Sequence, residues 1–189
     1  MLKIYEMLHS PYCIPITMIL KAAGQEYESI VIPNWDRSAV MELTGGAYYQ
    51  VPVLVHDEKI IYEANDSSLA VAHYVDEHFS DHDLFPGRIS GIHEILIGNI
   101  ESEIEGLGFK LCDIHYLPAI DDITRRTAII RHKERRFGRG CVDEWRREAA
   151  TIRKELMTTL NRFKGPLTAN RFLFGDEPAY ADYALAGVI

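Results

Sequence analysis

The pattern of apolar positions changes once along the chain. Up to Phe79, short apolar runs alternate with stretches of helical period; from Ile89 onward only the helical period recurs. Leu2–Leu8 reads as a short buried strand, and His9-Ser10-Pro11 as the turn that ends it. Ser10 is a good N-cap and Pro11 a good first helical residue, so the pattern predicts a helix over Tyr12–Ala23 with Gly24 as its C-terminal cap. Tyr27–Ile32 reads as a second strand ended by Pro33, and Trp35–Leu43 as a short helix broken by Gly45-Gly46. Val51–Val55 and Ile60–Tyr62, separated by a short polar loop, read as a hairpin, and Ser67–Phe79 as a helix. The order β-α-β-α-β-β-α describes an α/β unit with a mixed four-stranded sheet. Asp81–Gly87 has the composition of a linker. Helices are then predicted over Ile89–Leu117, Asp121–Phe137, Val142–Phe163 and Pro178–Ile189. The expected division is an α/β domain over 1–80, a linker over 81–87 and an all-helical domain over 88–189.

Composition narrows the class. Apolar residues make up 47% of the 189 positions and charged residues 25%, as in an ordinary globular protein. No apolar run approaches the roughly 18–20 residues that cross a bilayer, and the acids and histidine near the N-terminus do not fit a signal peptide. The three widely spaced cysteines (Cys13, Cys112, Cys141) point to a reducing, cytoplasmic compartment. The net charge of −8 argues against non-specific nucleic-acid binding. It is unevenly spread: residues 1–85 hold 4 basic and 13 acidic side chains, and residues 124–171 hold 14 basic and 5 acidic ones. Opposite faces of this kind either stay solvated or meet, within one chain or across a dimer.

Three segments carry possible chemistry. In His9-Ser10-Pro11-Tyr12-Cys13, the free N–H groups and dipole of a helix start favour a thiolate; a capping serine above a buried small cysteine fits the same letters. In Gln50-Val51-Pro52, the proline is either an ordinary edge-strand residue or a cis proline. A cis bond would turn the Val51 N–H and C=O outward for strand-like pairing with a peptide. In Glu63-Ala64-Asn65-Asp66-Ser67-Ser68, acids and hydroxyls cap a helix or hold an amino group and a carboxylate. Tyr5 is expected in the core. Cys112, Asp113 and His115 match no closed zinc pattern, and no metal is expected. Glu94, Glu101 and Glu105 are expected on one helix side, facing solvent or a dimer partner.

Together, in this order, the segments Ser10-Pro11-Tyr12-Cys13, Val51-Pro52-Val53-Leu54, Ser67-Ser68 ahead of Val71–Glu77, and Phe172–Asp176 through Ala181–Leu185 resemble the glutathione S-transferase family with a serine-type active site. The resemblance spans almost the whole chain. It implies a thioredoxin-like N-terminal domain, an all-helical C-terminal domain and glutathione as cosubstrate. It implies that Ser10 hydrogen-bonds the glutathione sulfur, with Cys13 beside it as a second candidate. Tyr12 would line the site. Val51, fixed by cis-Pro52, would pair with the cysteinyl part, and Gln50 would lie near the glycine carboxylate. Ser67 and Ser68, helped by Glu63 or Asp66, would hold the γ-glutamyl end. Phe109, Tyr116 and Trp145 are candidates for an apolar second-substrate pocket. The partners implied are a small electrophile and a second copy of the chain.

The sequence departs from the family pattern at several points. Serine stands where an acid usually precedes the third helix. Pro15 stands where many members have a basic residue. Ala179 replaces the hydroxyl residue that caps the Asp182 helix, and Ile189 falls inside that helix, so the chain is expected to be short. Besides a detoxifying transferase, the same letters allow a glutathione-dependent ether-cleaving, dehalogenating or thiol-transferase enzyme, or a non-catalytic interaction module.

Overall fold

The structure, a computed structural model, describes residues 1–63, 69–80 and 83–189. The first part is a thioredoxin-like α/β unit with strand order β2-β1-β3-β4. β1 (Leu2–Glu6) pairs in parallel with β2 (Glu28–Val31) and antiparallel with β3 (Val53–His56), which forms the hairpin with β4 (Lys59–Ile61). The alternation in β1 buries Leu2, Ile4 and Glu6. The Glu6 carboxylate is satisfied by the Ser29 hydroxyl, which donates to Oε1 at 2.6 Å.

Helix α1 spans Cys13–Ala22, one residue inside each predicted end. The Gln25 N–H donates to the Leu20 carbonyl and the Gly24 N–H to the Lys21 carbonyl, with Gly24 at φ +64°. Only a residue without Cβ adopts that conformation cheaply, which is why the helix stops where the sequence indicated. Helix α2 (Ser38–Leu43) starts three residues later than predicted: the Asp36 carboxylate accepts from the Ser38 N–H at 2.9 Å, so Trp35 and Asp36 lie in a turn. The described part of helix α3 is Ala70–Phe79.

The long predicted helix over Ile89–Leu117 is three pieces: α4 (Ser90–Asn99), a π turn over Ile100–Ile104, and α5 (Glu105–Tyr116). A π turn inserts a residue and rotates the helix beyond it. Helix α6 is Ile123–Phe137, capped by the Asp122 carboxylate on the Thr124 and Arg125 N–H groups, and α7 is Cys141–Leu160. The sequence missed α8 (Lys164–Ala169), because Gly165-Pro166 reads as a break. Pro166 falls in the first turn, where no N–H is needed. Helix α9 is Tyr180–Val188.

The two parts share one core. Ile4, Ile16, Leu20, Leu54, Val71 and Val75 pack in the same cluster as Ile97, Ile100, Ile104, Tyr180, Ala181 and Leu185. A second cluster lies within the helical part, around Leu117, Ile129, Val142, Trp145 and Ile152. A third, around Cys13, Ile32, Val40, Val51 and Val53, backs the β1–α1 turn.

The start of α9 replaces its missing hydroxyl cap. Asp182 Oδ2 accepts from the Ala179 N–H at 2.9 Å and Oδ1 from the Leu173 N–H at 2.8 Å. The Ala179 methyl returns nothing, but the Ala181 N–H donates to His93 Nε2 at 3.1 Å. His93, from α4, is 1% exposed, and burial holds its pKa below the usual value.

A Cβ on Gly187 would lie 2.7 Å from the Pro11 carbonyl oxygen and 2.8 Å from the Pro15 ring. Gly187→Ala should therefore cost about 1–3 kcal/mol in urea unfolding. Gly108→Ala, whose Cβ would meet the Val188 carbonyl at 3.5 Å, should be neutral or mildly stabilising. His93 must stay neutral to accept the Ala181 N–H. Its folded pKa is lowered, so its contribution is fully present above pH about 6.5 and falls away as the pH drops below that value. Between pH 7.5 and 5.5 the wild-type melting temperature should fall further than that of His93→Gln.

Candidate functional site

The site forms where the β1–α1 turn, the start of β3 and the start of α3 meet the π turn and α5. The Ser10 N–H donates to the Met7 carbonyl, and the Ser10 carbonyl accepts from the Cys13 and Ile14 N–H groups, so Ser10 closes the first turn of α1. Its Oγ accepts from the Tyr12 N–H at 3.3 Å, and the side chain is 3% exposed. Cys13 lies beneath it with no exposure. Burial pushes the Cys13 thiol up to about 11, against a hydrogen bond from Ser10. A thiol of that kind is neutral at pH 7 and sealed from solvent, the setting of a packing group. Tyr12, half-exposed, lies over the turn, and burial together with Glu105 and Glu101 raises its phenol.

The Val51–Pro52 bond is cis. Val51 and Pro52 are buried at the head of β3, and Gln50 before them is exposed. Asp66, Ser67 and Ser68 lie outside the described residues. Glu63 does not: its carboxylate accepts from the Ala70 N–H at 2.8 Å and the Val71 N–H at 3.3 Å. Burial raises Glu63 to about 7, opposed by those two hydrogen bonds and reinforced by Glu101. Tyr48 is stacked on Tyr62 at 5.2 Å, and burial, with Glu63, Cys13, Tyr49 and Tyr12, raises its phenol. Buried Tyr180 of α9 feels Glu101, Glu63, Tyr12 and Cys13.

Glu101 and Glu105 correct the expectation that they face solvent or a partner. Both are partly buried, and both act on the Tyr12 phenol. Burial and Glu105 raise Glu101 to about 7, and burial raises Glu105 while Lys133 and Arg136 pull it back. The π turn is the reason. With one extra residue between them, Glu94 stays on the exposed face and the later two turn inward.

All three second-substrate candidates pack in or against the helical cluster, Trp145 buried and Phe109 and Tyr116 partly so. The Tyr116 ring also lies 5.0 Å from that of His9. Phe109 and Trp145 pack edge to face at 5.4 Å in the helical core, with the Lys133 ammonium 4.7 Å over Phe109. Lys133 also pairs with Asp113 at 2.8 Å. Sequence reasoning missed Arg37, whose guanidinium is buried and acted on by Cys13, Tyr49 and Tyr116. Its one signal was being the sole arginine of residues 1–85. Among the described residues no group of histidine, cysteine and acidic side chains could hold a metal ion, and no helix is long and apolar enough to cross a membrane.

The profile of the glutathione S-transferase N-terminal domain matches residues 4–83. By that match, residues 4–83 form a glutathione S-transferase N-terminal domain. A search of curated proteins finds no match. Among solved structures, a glutathione S-transferase of Ceriporiopsis subvermispora in complex with glutathione superposes with TM-score 0.80 at 18% identity, over 98% of this chain and 82% of that one. A glutathione transferase of Phanerochaete chrysosporium gives the same score and identity over 99% and 82%. Glutaredoxin 2 of Salmonella typhimurium in complex with glutathione gives 0.75 at 21% identity, also over 99% and 82%. These likenesses establish the fold of the whole chain.

The thiols give a direct check on the burial described above. In the folded protein, Ellman's reagent at neutral pH should titrate exposed Cys112 alone, and Cys13 and Cys141 should react only after unfolding. Fast reaction of Cys13 would contradict its placement.

Proposed function

We propose that the protein is a cytoplasmic glutathione transferase acting on a small electrophile. The tripeptide lies along Val51–Pro52 as an added strand, with Gln50 near its glycine end. Its sulfur reaches the Ser10 hydroxyl, which donates a hydrogen bond to the thiolate and lowers the thiol pKa. The thiol proton passes to solvent. The thiolate then forms a carbon–sulfur bond, and the leaving group departs with the electron pair. The protein works as a homodimer, in which the acidic residues 1–85 face the basic helices of a second copy.

One observation carries this reading. The acid that the family pattern places directly before the third helix is absent, yet Glu63 brings a carboxylate to the first described amides of α3. An ammonium group such as that of the γ-glutamyl end would find its counter-charge there, with Glu101 close by.

A non-catalytic module is the second reading. It is favoured by the near-complete burial of Ser10 and by Glu63 already satisfying the α3 amides that a ligand carboxylate would otherwise take. Oxidoreductive use of Cys13 is disfavoured by its burial and its thiol near 11.

Binding of S-hexylglutathione separates the two readings without a titrating thiol. Glu63 must be ionised to hold the ammonium, so affinity should rise as the pH climbs through about 7. Glu63→Gln should flatten that rise and weaken binding about tenfold. Ser10→Ala should keep S-hexylglutathione binding and lower kcat with 1-chloro-2,4-dinitrobenzene about a hundredfold. No binding at any pH would leave the module reading.

A further inference from the structure

Helix α6 turns a row of arginines to solvent. Arg131 and Arg135 lie one helical turn apart, about 6 Å along the axis, and Arg139 follows in the turn that ends the helix. With Ala128 and Glu134 they line a recess of about 500 Å³. That volume is within the range of small-molecule sites. Ile129 is buried and Lys133 is paired with Asp113 of α5 at 2.8 Å, so these two mark the inner face of α6. Arg131 and Arg135 stand two residues further on in each case, which puts them on the opposite side.

No acid among the described residues pairs with Arg131, Arg135 or Arg139. The acids of the helical part that form ion pairs take other cations: Asp122 takes Arg125, Asp143 takes Arg146 and Glu103 takes Arg162. Glu134, the one acid of the lining, is committed to the backbone. Its Oε1 accepts from the Gly140 N–H at 2.9 Å, and its carbonyl accepts from the Gly138 N–H at 3.0 Å. Gly138 and Gly140 stand at φ +95° and +80°, conformations that glycine adopts cheaply. Glu134 therefore fixes the turn that carries Arg139. Like charges one turn apart on a helix repel, so three guanidinium groups against one carboxylate leave a recess that favours an anion from outside the chain.

The lining says which anion. Several guanidinium forks around one recess suit several negative oxygens in a small volume, and each fork matches a phosphate edge by two hydrogen bonds. A peptide would also bring N–H and C=O groups, and the backbone of α6 is already spent on its own helix. A membrane surface would take up apolar side chains, and the lining holds none larger than Ala128. We propose that Arg131, Arg135 and Arg139 bind a soluble polyphosphate anion, of the kind carried by a nucleoside triphosphate. The recess shares no residue with the tripeptide groove, so the proposal does not rest on the transferase reading.

The test is calorimetric titration of the full chain with sodium tripolyphosphate in about 50 mM salt, where screening is modest. The expected Kd is about 100 μM or tighter. Arg135→Gln should weaken it about tenfold and Arg135→Lys about threefold, while Arg153→Gln, on α7 outside the recess, should change it less than about twofold. All of these positions are exposed, so the melting temperature should not move. Adenosine triphosphate should displace tripolyphosphate, and S-hexylglutathione should not. A Kd weaker than about 1 mM for the wild type would overturn the proposal. An equal loss in Arg153→Gln would reduce the effect to net charge and overturn it. Cosedimentation with vesicles of phosphatidylcholine and phosphatidylinositol bisphosphate, abolished by Arg135→Gln and without binding of tripolyphosphate, would assign the recess to a lipid surface and overturn it. A smaller assembly of Arg135→Gln in sedimentation velocity, with tripolyphosphate affinity unchanged, would assign the recess to a second copy and overturn it as well.

Discussion

The close approach of α9 to the first turn of α1 sets the position of everything in the site. Gly187 leaves room for the Pro11 carbonyl and the Pro15 ring to sit directly against the helix backbone. Pro11 comes directly after Ser10, and the Ser10 carbonyl holds the Cys13 and Ile14 amides. The β1–α1 turn is thus pinned from above by a helix whose own start is fixed by Asp182 and His93. The site belongs to neither half alone, since the largest apolar cluster runs through both. A loosened α9 would free the turn that carries Ser10 before it touched the sheet.

Around that pinned turn, charge is sorted into two sides. Toward α3 and the π turn lie Glu63, Glu101 and Glu105, their carboxyls raised mainly by burial, with Glu101 adding to the rise of Glu63 and Glu105 to that of Glu101. Toward α2, α5 and α6 lie Arg37, His9, His132 and Lys133, with His9 and His132 lowered mainly by burial. On the acidic side the desolvated carboxyls favour a ligand group of positive charge; on the other, burial keeps the two imidazoles neutral and Lys133 is paired with Asp113 at 2.8 Å. The turn between the two sides then carries the only buried hydroxyl of a serine among the described residues.

Much of this was legible in the letters, and the reasons for success and failure are physical. The strand and helix order could be read because the period of the apolar positions switches cleanly at the linker, and because Gly24 and Asp122 end or start helices by local chemistry. The turn at Ser10 was legible in its own letters, whereas the cis bond before Pro52 was one of two options until the resemblance favoured it, since a proline's letter does not report its isomer. Glu101 and Glu105 were misplaced because ideal helical spacing does not foresee a π turn. Arg37 was missed because burial of one guanidinium between two halves of a fold leaves no mark on local spacing.

The departures from the family pattern show what that pattern requires. Ala179 cannot cap, and His93 brings an acceptor from a different helix. Pro15 adds a rigid ring under α9, and Gly187 removes the side chain it would strike. Serine replaces the expected acid at position 67, and Glu63 reaches the α3 amides from four residues earlier. In each case the missing element was a particular atom or a particular gap, and a residue distant in sequence or register supplies it. The constraint is on the position of an acceptor, a void or a charge in space, and the sequence meets it by whichever side chain the fold can bring there. Substitutions at His93, Gly187 and Glu63 therefore carry the burden that a position-by-position comparison would assign to Ala179, Pro15 and Ser67.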